Sequence, residues 1–479
     1  MRVLKEKERG HLGKETIKKC LEEERQVLEK MALDIWERPE AGFREHFASR
    51  LQMDYLAGKG AVITNPVGKL DTAFVAEYGE GHPIIGILGE FDSLPDLSQK
   101  AGLNYKEPVK EGERGHGCGH NLLGVGSIAA FVSLMETMKQ EGITGTVRYY
   151  GCPAEENLAG KSFMAKAGVF DDLDCCLSWH PSGEDGAGYS NNTALETMDF
   201  YFTGIEAHAG ANPHLGRSAL DAVELMNVGC NYLREHIIPS ARVHYIITDG
   251  GRAVNIVPGK AAVRYAVRAP KVEQMLDIAE RLNDISKGAA LMTGTTVKRV
   301  ITSIYHNRLP NAALADLAYE NFLTASPCEY TEEELAFADS MAAAYPPGTV
   351  ERVVKGYGVD MSEVKHNLLP RPVKMGSKEK IGGGSTDVGD VSWITPTLNM
   401  TAVCCPVMVN GHTWQGTSCY GTSFAAKGMI RAGEVLAATA YDLMTDKKEV
   451  LAKAKEEWEH DKNGQSYVPI PDDMEPYYD

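Results

Sequence analysis

Cys118 and His120 are separated by a single glycine in Gly115-His116-Gly117-Cys118-Gly119-His120-Asn121. A thiolate and an imidazole at that spacing are both metal donors, and the glycines let the backbone fold tightly around an ion. Taken alone, the pair reads as readily as a glycine-rich turn whose histidine caps the helical run behind it. Glu155 and Glu156 follow the apolar run 147–150. Two adjacent carboxylates at a strand end can divide labour, one binding metal and the other moving protons. The plainer reading is an acidic surface loop. His180, in Trp179-His180-Pro181, and His412, in Gly411-His412-Thr413-Trp414, also come after strand-like runs. A lone histidine is more often a satisfied or exposed residue than a ligand. Recurrence changes the balance: each group follows an expected strand, so one sheet can converge them all on one site.

Together these groups offer one thiolate, three imidazoles and one or two carboxylates. That is more than a tetrahedral structural site uses, and it suits two divalent ions sharing a water. The mixed softness favours Zn²⁺, Mn²⁺ or Co²⁺ over Ca²⁺ or Mg²⁺.

The elements that must position these residues form an α/β pattern. Short β-rich runs at 73–77, 84–88, 147–150, 174–177 and 400–404 are interleaved with helical patterns at 15–36, 122–138 and 422–443. Continuous apolar strands alternating with helices indicate a mixed, mostly parallel sheet covered by helices. Between 195 and 305 the rhythm changes. Strands at 198–203, 243–248, 262–269 and 296–301, with helices at 218–235 and 272–287, give the order β-α-β-β-α-β. That is the ferredoxin-like α+β motif. It is expected as a separate domain, 195–305, inserted into a catalytic domain formed by 1–194 and 306–479. The stretch 304–380 mixes helical signals with Pro and Gly, and the tail around Pro471 is expected to be exposed.

A chain of 479 residues exceeds one ordinary core. Its net charge of −17 argues against nucleic acid or an anionic membrane as a partner. An anionic substrate would therefore need a local basic residue. The N-terminus shows no secretory pattern and no run of about 18 apolar residues occurs. The ten cysteines lack disulfide-framework spacing, and several lie in apolar runs. A reduced, cytoplasmic compartment is expected. A redox or zinc-storage role would call for Cys-x-x-Cys pairs, and the sequence has none.

The pattern resembles the metallopeptidase family of aminoacylases and carboxypeptidase G, and within it the amidohydrolase branch that carries Cys-Gly-His. The supporting segments lie at 115–124, 179–181, 213–222, 241–245, 385–393 and 412–415, spread in order over most of the chain. The resemblance implies cleavage of the amide bond of an N-acyl amino acid, p-aminobenzoyl-glutamate foremost, with other N-acyl or aryl-acetyl conjugates as the alternative. It implies Cys118, His120, Glu156, His180 and His412 as ligands of two metal ions and Glu155 as the general base. It further implies His208 as a histidine of the inserted lid that crosses a dimer interface; by pattern alone it is an exposed loop residue. Asn255 and Arg268, thirteen residues apart, match the positions that hold the substrate carboxylate. Asp92 matches a loop near the metals and is given a supporting role. Many members of the branch have Asp after Cys-Gly-His, where this chain has Asn121. The implied assembly is a homodimer or a heterodimer with a homologous chain. A metal-binding but inactive partner would be expected to have lost Glu155 or a ligand, and all are present.

Overall fold

A computed structural model describes residues 2–378, 380–382 and 384–477. Its larger sheet has eight strands, in the order Val62–Thr64, Phe74–Glu80, Gly145–Cys152, Ile84–Glu90, Cys175–Ser182, Thr397–Val403, Gly186–Gly188 and Val373–Met375. The four consecutive strands from Gly145–Cys152 to Thr397–Val403 are mutually parallel. Their carboxyl ends therefore open on one edge, where an α/β sheet gathers its functional loops. Ile84–Glu90 is buried along its whole length, as a strand covered on both faces must be.

Helices Arg2–Trp36, His120–Glu141 and Ser423–Met444 pack on one face of this sheet and on one another. His120–Glu141 is long and apolar enough to cross a membrane by composition, but it lies almost wholly inside this core. A second core begins beneath the opposite face and continues into the inserted region.

That inserted region forms a four-stranded antiparallel sheet, ordered Thr296–Tyr305, Ala194–Thr203, Lys260–Ala269, Arg242–Asp249. Helices Ala219–Leu233 and Val272–Thr293 pack together and against its strands. The strand order is that of the expected ferredoxin-like motif. Burial along Lys260–Ala269 alternates over its second half, the signature of a sheet with one covered face.

The mixed stretch 304–380 resolves into helices Ala312–Thr324, Glu332–Ser340 and Thr349–Gly356 and the edge strand Val373–Met375. Thr331 and Glu334 close a capping box at the second of these helices. The tail departs from expectation. Ile470 and Met474 are only 2% and 6% exposed. The Tyr467 hydroxyl donates to Asp390 at 2.8 Å, and Arg264 of the inserted sheet donates to the Tyr477 hydroxyl at 2.8 Å. Spaced apolar anchors among Pro and Asp carry this segment along the second core, a pattern too sparse to register as an element. None of the ten cysteines is in a disulfide.

Candidate active site

The carboxyl ends of the parallel strands bring the expected donors together. Glu90 ends Ile84–Glu90, and Asp92 lies just beyond it. Glu155 and Glu156 open the short helix Glu155–Leu158 after Gly145–Cys152. His180 lies within Cys175–Ser182 rather than in the loop after a strand, because that strand runs further than its apolar stretch. His412 sits in the left-handed region (φ 60°) one residue before Thr413, which caps the helix Trp414–Tyr420. Gly119, at φ 79°, turns the chain into the helix that begins at His120. A Cβ at Gly119 would stand 3.0 Å from the Pro181 ring, so the Cys-Gly-His spacing needs glycine for both conformation and room.

Two sets of donors share one thiol. Cys118, His120 and His180 offer ligand atoms within 4.8 Å of one another, and so do Cys118, Glu156 and His412. Glu90, His120 and Glu155 form a third such set. The imidazoles are oriented by what lies behind them. His120 Nδ1 meets Asp92 Oδ1 at 2.8 Å, and His180 Nδ1 meets the Pro181 carbonyl at 2.8 Å. Both acceptors assign the ring proton to Nδ1 and leave Nε2 as a free lone pair, as a metal-binding histidine requires. His180 Nε2 is 3.2 Å from Cys118 Sγ. His120 Nε2 and Glu156 Oε1 are buried with no hydrogen-bond partner among the described residues. Glu156 Oε1 faces His412 Nε2 at 3.4 Å. Orphaned buried acceptors converging on a thiol are what a bound cation would satisfy, so these residues fit two transition-metal ions. His412, with 57% of its side chain exposed, is the open edge of the set.

The electrostatics agree. Burial, reinforced by Glu156, pushes the Cys118 thiol well above its ordinary range. Burial with Glu90, Glu156 and Asp387 nearby does the same to Glu155. Burial lifts Glu156 to about 7. Burial and the neighbouring His120 bring His180 down to about 4, keeping its imidazole neutral. Crowded acids and a neutral imidazole form a donor cluster short of positive charge.

The loop carrying the two glutamates is held in a costly shape. Ala154 and Ala159 adopt left-handed φ values of 56° and 61°, a conformation costing about 1–2 kcal/mol per L-residue. Three buried carboxylates hold this loop by its amides. Glu45 accepts from Ala154 N, Asp92 from Glu156 N and Asp387 from Lys161 N, each at 2.8 Å. The Tyr305 hydroxyl donates to the Glu155 carbonyl at 3.1 Å. Glu155 and Glu156 therefore point by construction, not by chance. Lys161 bridges Glu90 and Asp387 at 2.6 Å each. Asn121 explains its departure from Asp: its Nδ2 donates to the carbonyls of Ala32 and Tyr420 at 3.2 and 3.1 Å, which a carboxylate cannot do.

A cleft of about 500 Å³ opens over these donors. Arg268 and Arg308 both line it, along with Leu195, Tyr305 and Ser385. Arg268 donates to Ser385 Oγ at 2.8 Å, and burial pulls its guanidinium below the usual value. His208 and Asn255 are elsewhere in the same chain. His208 pairs with Ile256 in the ribbon of Ala207–His208 and Ile256–Val257, and the Asn255 carbonyl accepts from Ala209 N at 2.9 Å. Both residues are exposed. His208 Nδ1 accepts from the amides of Gly210 and Ala211, at 3.2 and 3.1 Å, which puts the ring proton on Nε2. The expected placement of Asn255 beside Arg268 does not hold within one chain. The strand Lys260–Ala269 separates them, and its eight steps from Lys260 to Arg268 alone span about 26 Å.

Reading the sequence missed Glu90, Lys161, Asp387 and Arg308. Glu90 ends a strand, so the rule that singled out Glu155 applies to it as well. Asp387 lies inside a matched segment without an assigned role. Lys161 and Arg308 carry no local signal, since only the tertiary fold brings them here.

The family described as the peptidase dimerisation domain (M20_dimer) matches residues 194–291. Over 468 residues the chain is 39% identical to one of the two subunits of the p-aminobenzoyl-glutamate hydrolase of Escherichia coli (strain K12), covering 95% of this chain and 97% of that protein. It is 28% identical to the Xaa-Arg dipeptidase of Homo sapiens, covering 92% and 90% respectively. The solved structure of an aminobenzoyl-glutamate utilization protein from Klebsiella pneumoniae superposes with a TM-score of 0.60 at 18% identity, over 89% of this chain and 98% of that one. With a match so nearly end to end, and with a dimerisation domain in the inserted sheet, the chain belongs to the M20 family of metallopeptidases, hydrolases of amide bonds.

Proposed function

We propose that this protein hydrolyses N-acyl amino acids at a two-metal centre, with p-aminobenzoyl-glutamate as the substrate to test first. The observation that carries the reading is Cys118 serving two donor sets directly beside a carboxylate, Glu155, that belongs to neither. The ligands would be Cys118, His120, Glu156, His180 and His412. When bound, the two ions supply Lewis acidity, and the donor chemistry suits Zn²⁺, Mn²⁺ or Co²⁺.

The chain's own groups then have separate tasks. Glu155 accepts a proton from the water as it adds to the amide carbon. It returns that proton to the amine nitrogen as the C–N bond breaks, so acid and amine leave with the water divided between them. Arg268 grips the α-carboxylate, where a planar guanidinium donates two parallel bonds. His208 of a second chain brings its Nε2–H to the carbonyl oxygen as negative charge develops there. Its outward-facing proton and its exposure far from its own cleft support that reading, which makes the active unit a dimer, either homomeric or with a homologous chain.

Protein loaded with Mn²⁺ or Zn²⁺ should release p-aminobenzoate and glutamate from p-aminobenzoyl-glutamate, lose that activity to a chelator and regain it with added metal. Undiminished turnover after exhaustive chelation, or no cleavage of any N-acyl amino acid, overturns the reading. A separate test addresses the composite site. His208→Ala should be nearly inactive while folded and metal-loaded. Mixing it with Glu155→Gln chains should recover roughly a quarter of wild-type activity, because statistical exchange makes half the dimers hybrid, each with one intact site of two. No recovery after verified exchange of chains would place His208 outside the site.

A further inference from the structure

Partly buried arginines elsewhere in the protein have an acid beside them. Arg264 bonds Asp199, Arg299 pairs with Glu196, Arg431 with Asp185, and Arg148 with Asp172 and Glu77. Arg308 differs. Its main-chain amide donates to Asn192 Oδ1 at 2.6 Å and its Nη2 to the Ser190 carbonyl at 2.8 Å. Its Nε is buried with no partner, and no carboxylate pairs with it among the described residues. Burial alone lowers it to about 10. An enclosed guanidinium with a free donor is costly unless an anion completes it. Arg308 lines the cleft above the metal donors, and so does Arg268, whose side chain donates to the neutral Ser385 hydroxyl.

The two cations hang on one stretch of backbone. Ser385 Oγ donates to the Thr193 carbonyl at 2.8 Å, and the main chain of Arg268 pairs with Leu195. Arg308 is tied to Ser190 and Asn192, in the same segment entering the inserted sheet. Their spacing is therefore set by the fold and not by flexible side chains reaching for a ligand.

We propose that Arg308 is a specificity residue that binds the side-chain carboxylate of the amino acid, so that the cleft selects N-acyl derivatives of acidic amino acids. This rests on the hydrolase reading above and on Arg268 holding the α-carboxylate. Two fixed guanidiniums without acid partners match two carboxylates on one small molecule. The other side chains around them, Glu90, Glu155 and Glu156, would repel such a dianion were those cations absent. A basic amino acid would set a third cation against the pair.

The experiment compares p-aminobenzoyl-glutamate with p-aminobenzoyl-glutamine, which have nearly the same shape and differ by one charge. In the metal-loaded wild type, kcat/KM should favour the glutamate compound by about 30-fold or more, the worth of one buried charge-assisted contact. Arg308→Gln should collapse that ratio to within about threefold of unity, and Arg308→Lys should restore part of it. Arg268→Gln should instead lower both compounds together, since both keep the α-carboxylate. If Arg308→Gln fails to fold, product inhibition of the wild type gives the same reading. Free glutamate should then inhibit at much lower concentration than free glutamine. A glutamate-to-glutamine ratio near unity in the wild type, or one unchanged in Arg308→Gln, overturns the proposal and leaves the hydrolase reading standing. Failure to cleave these and every other N-acyl amino acid overturns both.

Discussion

Replacing Glu155 with Gln should lower kcat by about 10²- to 10⁴-fold while metal content stays nearly unchanged. Gln keeps the shape and the hydrogen-bonding edge but cannot take a proton from water or return it to nitrogen. The structure gives this substitution a clean background. Glu155 belongs to neither of the two sets built on Cys118, so its loss leaves the proposed ligands in place. The loop around it is held through main-chain amides by Glu45, Asp92 and Asp387, so the exchange leaves the local fold intact. Glu156→Gln supplies the contrast. Its Oε1 is an orphaned buried acceptor 3.4 Å from His412, and losing the charge there should weaken metal retention first and activity in consequence. Measuring bound metal and kcat on both variants decides the matter. Metal loss in Glu155→Gln with retention in Glu156→Gln would reverse the division of roles.

Cys118→Ala should remove metal and activity together. The thiol is the donor common to both sets, so its deletion leaves two donors in each: His120 with His180, and Glu156 with His412. Two neutral or singly charged donors hold a transition ion far less tightly than three that include a thiolate. Cys118→Ser is the softer test. An alcohol is a poorer donor, so partial occupancy at high metal concentration and a low residual rate are expected. The apoprotein should still fold, because Cys118 is a small buried residue beside a large core and not part of a cross-link. Metal analysis after dialysis, with thermal unfolding on the same samples, separates loss of ions from loss of structure. Normal metal content and full turnover in Cys118→Ala would remove the two-metal centre.

Several features were legible in the sequence because they rest on local patterns. Apolar runs ending in donors, at Glu155–Glu156, His180 and His412, mark where strands reach the carboxyl edge of a parallel sheet. The β-α-β-β-α-β rhythm between 195 and 305 marks an antiparallel sheet with helices on one side. Both follow from periodicities that depend only on neighbouring residues. The Cys-Gly-His spacing likewise announces its geometry, since only glycine fits the left-handed turn against Pro181.

What the tertiary structure alone decided involves residues distant in sequence and silent in pattern. Glu45 supports Ala154 across 109 positions, and Asp387 supports Lys161 across 226. Nothing local to either carboxylate says which amide it will meet. Asn255 and Arg268 show the converse. Their spacing suggested a shared task, yet an extended strand carries them apart at about 3.3 Å per residue, and Asn255 ends beside His208. Arg308 gave no signal because an arginine in sequence looks solvated by default. Its meaning comes from burial without an acid, and burial is a property of the whole packed chain, decided only when every element is in place.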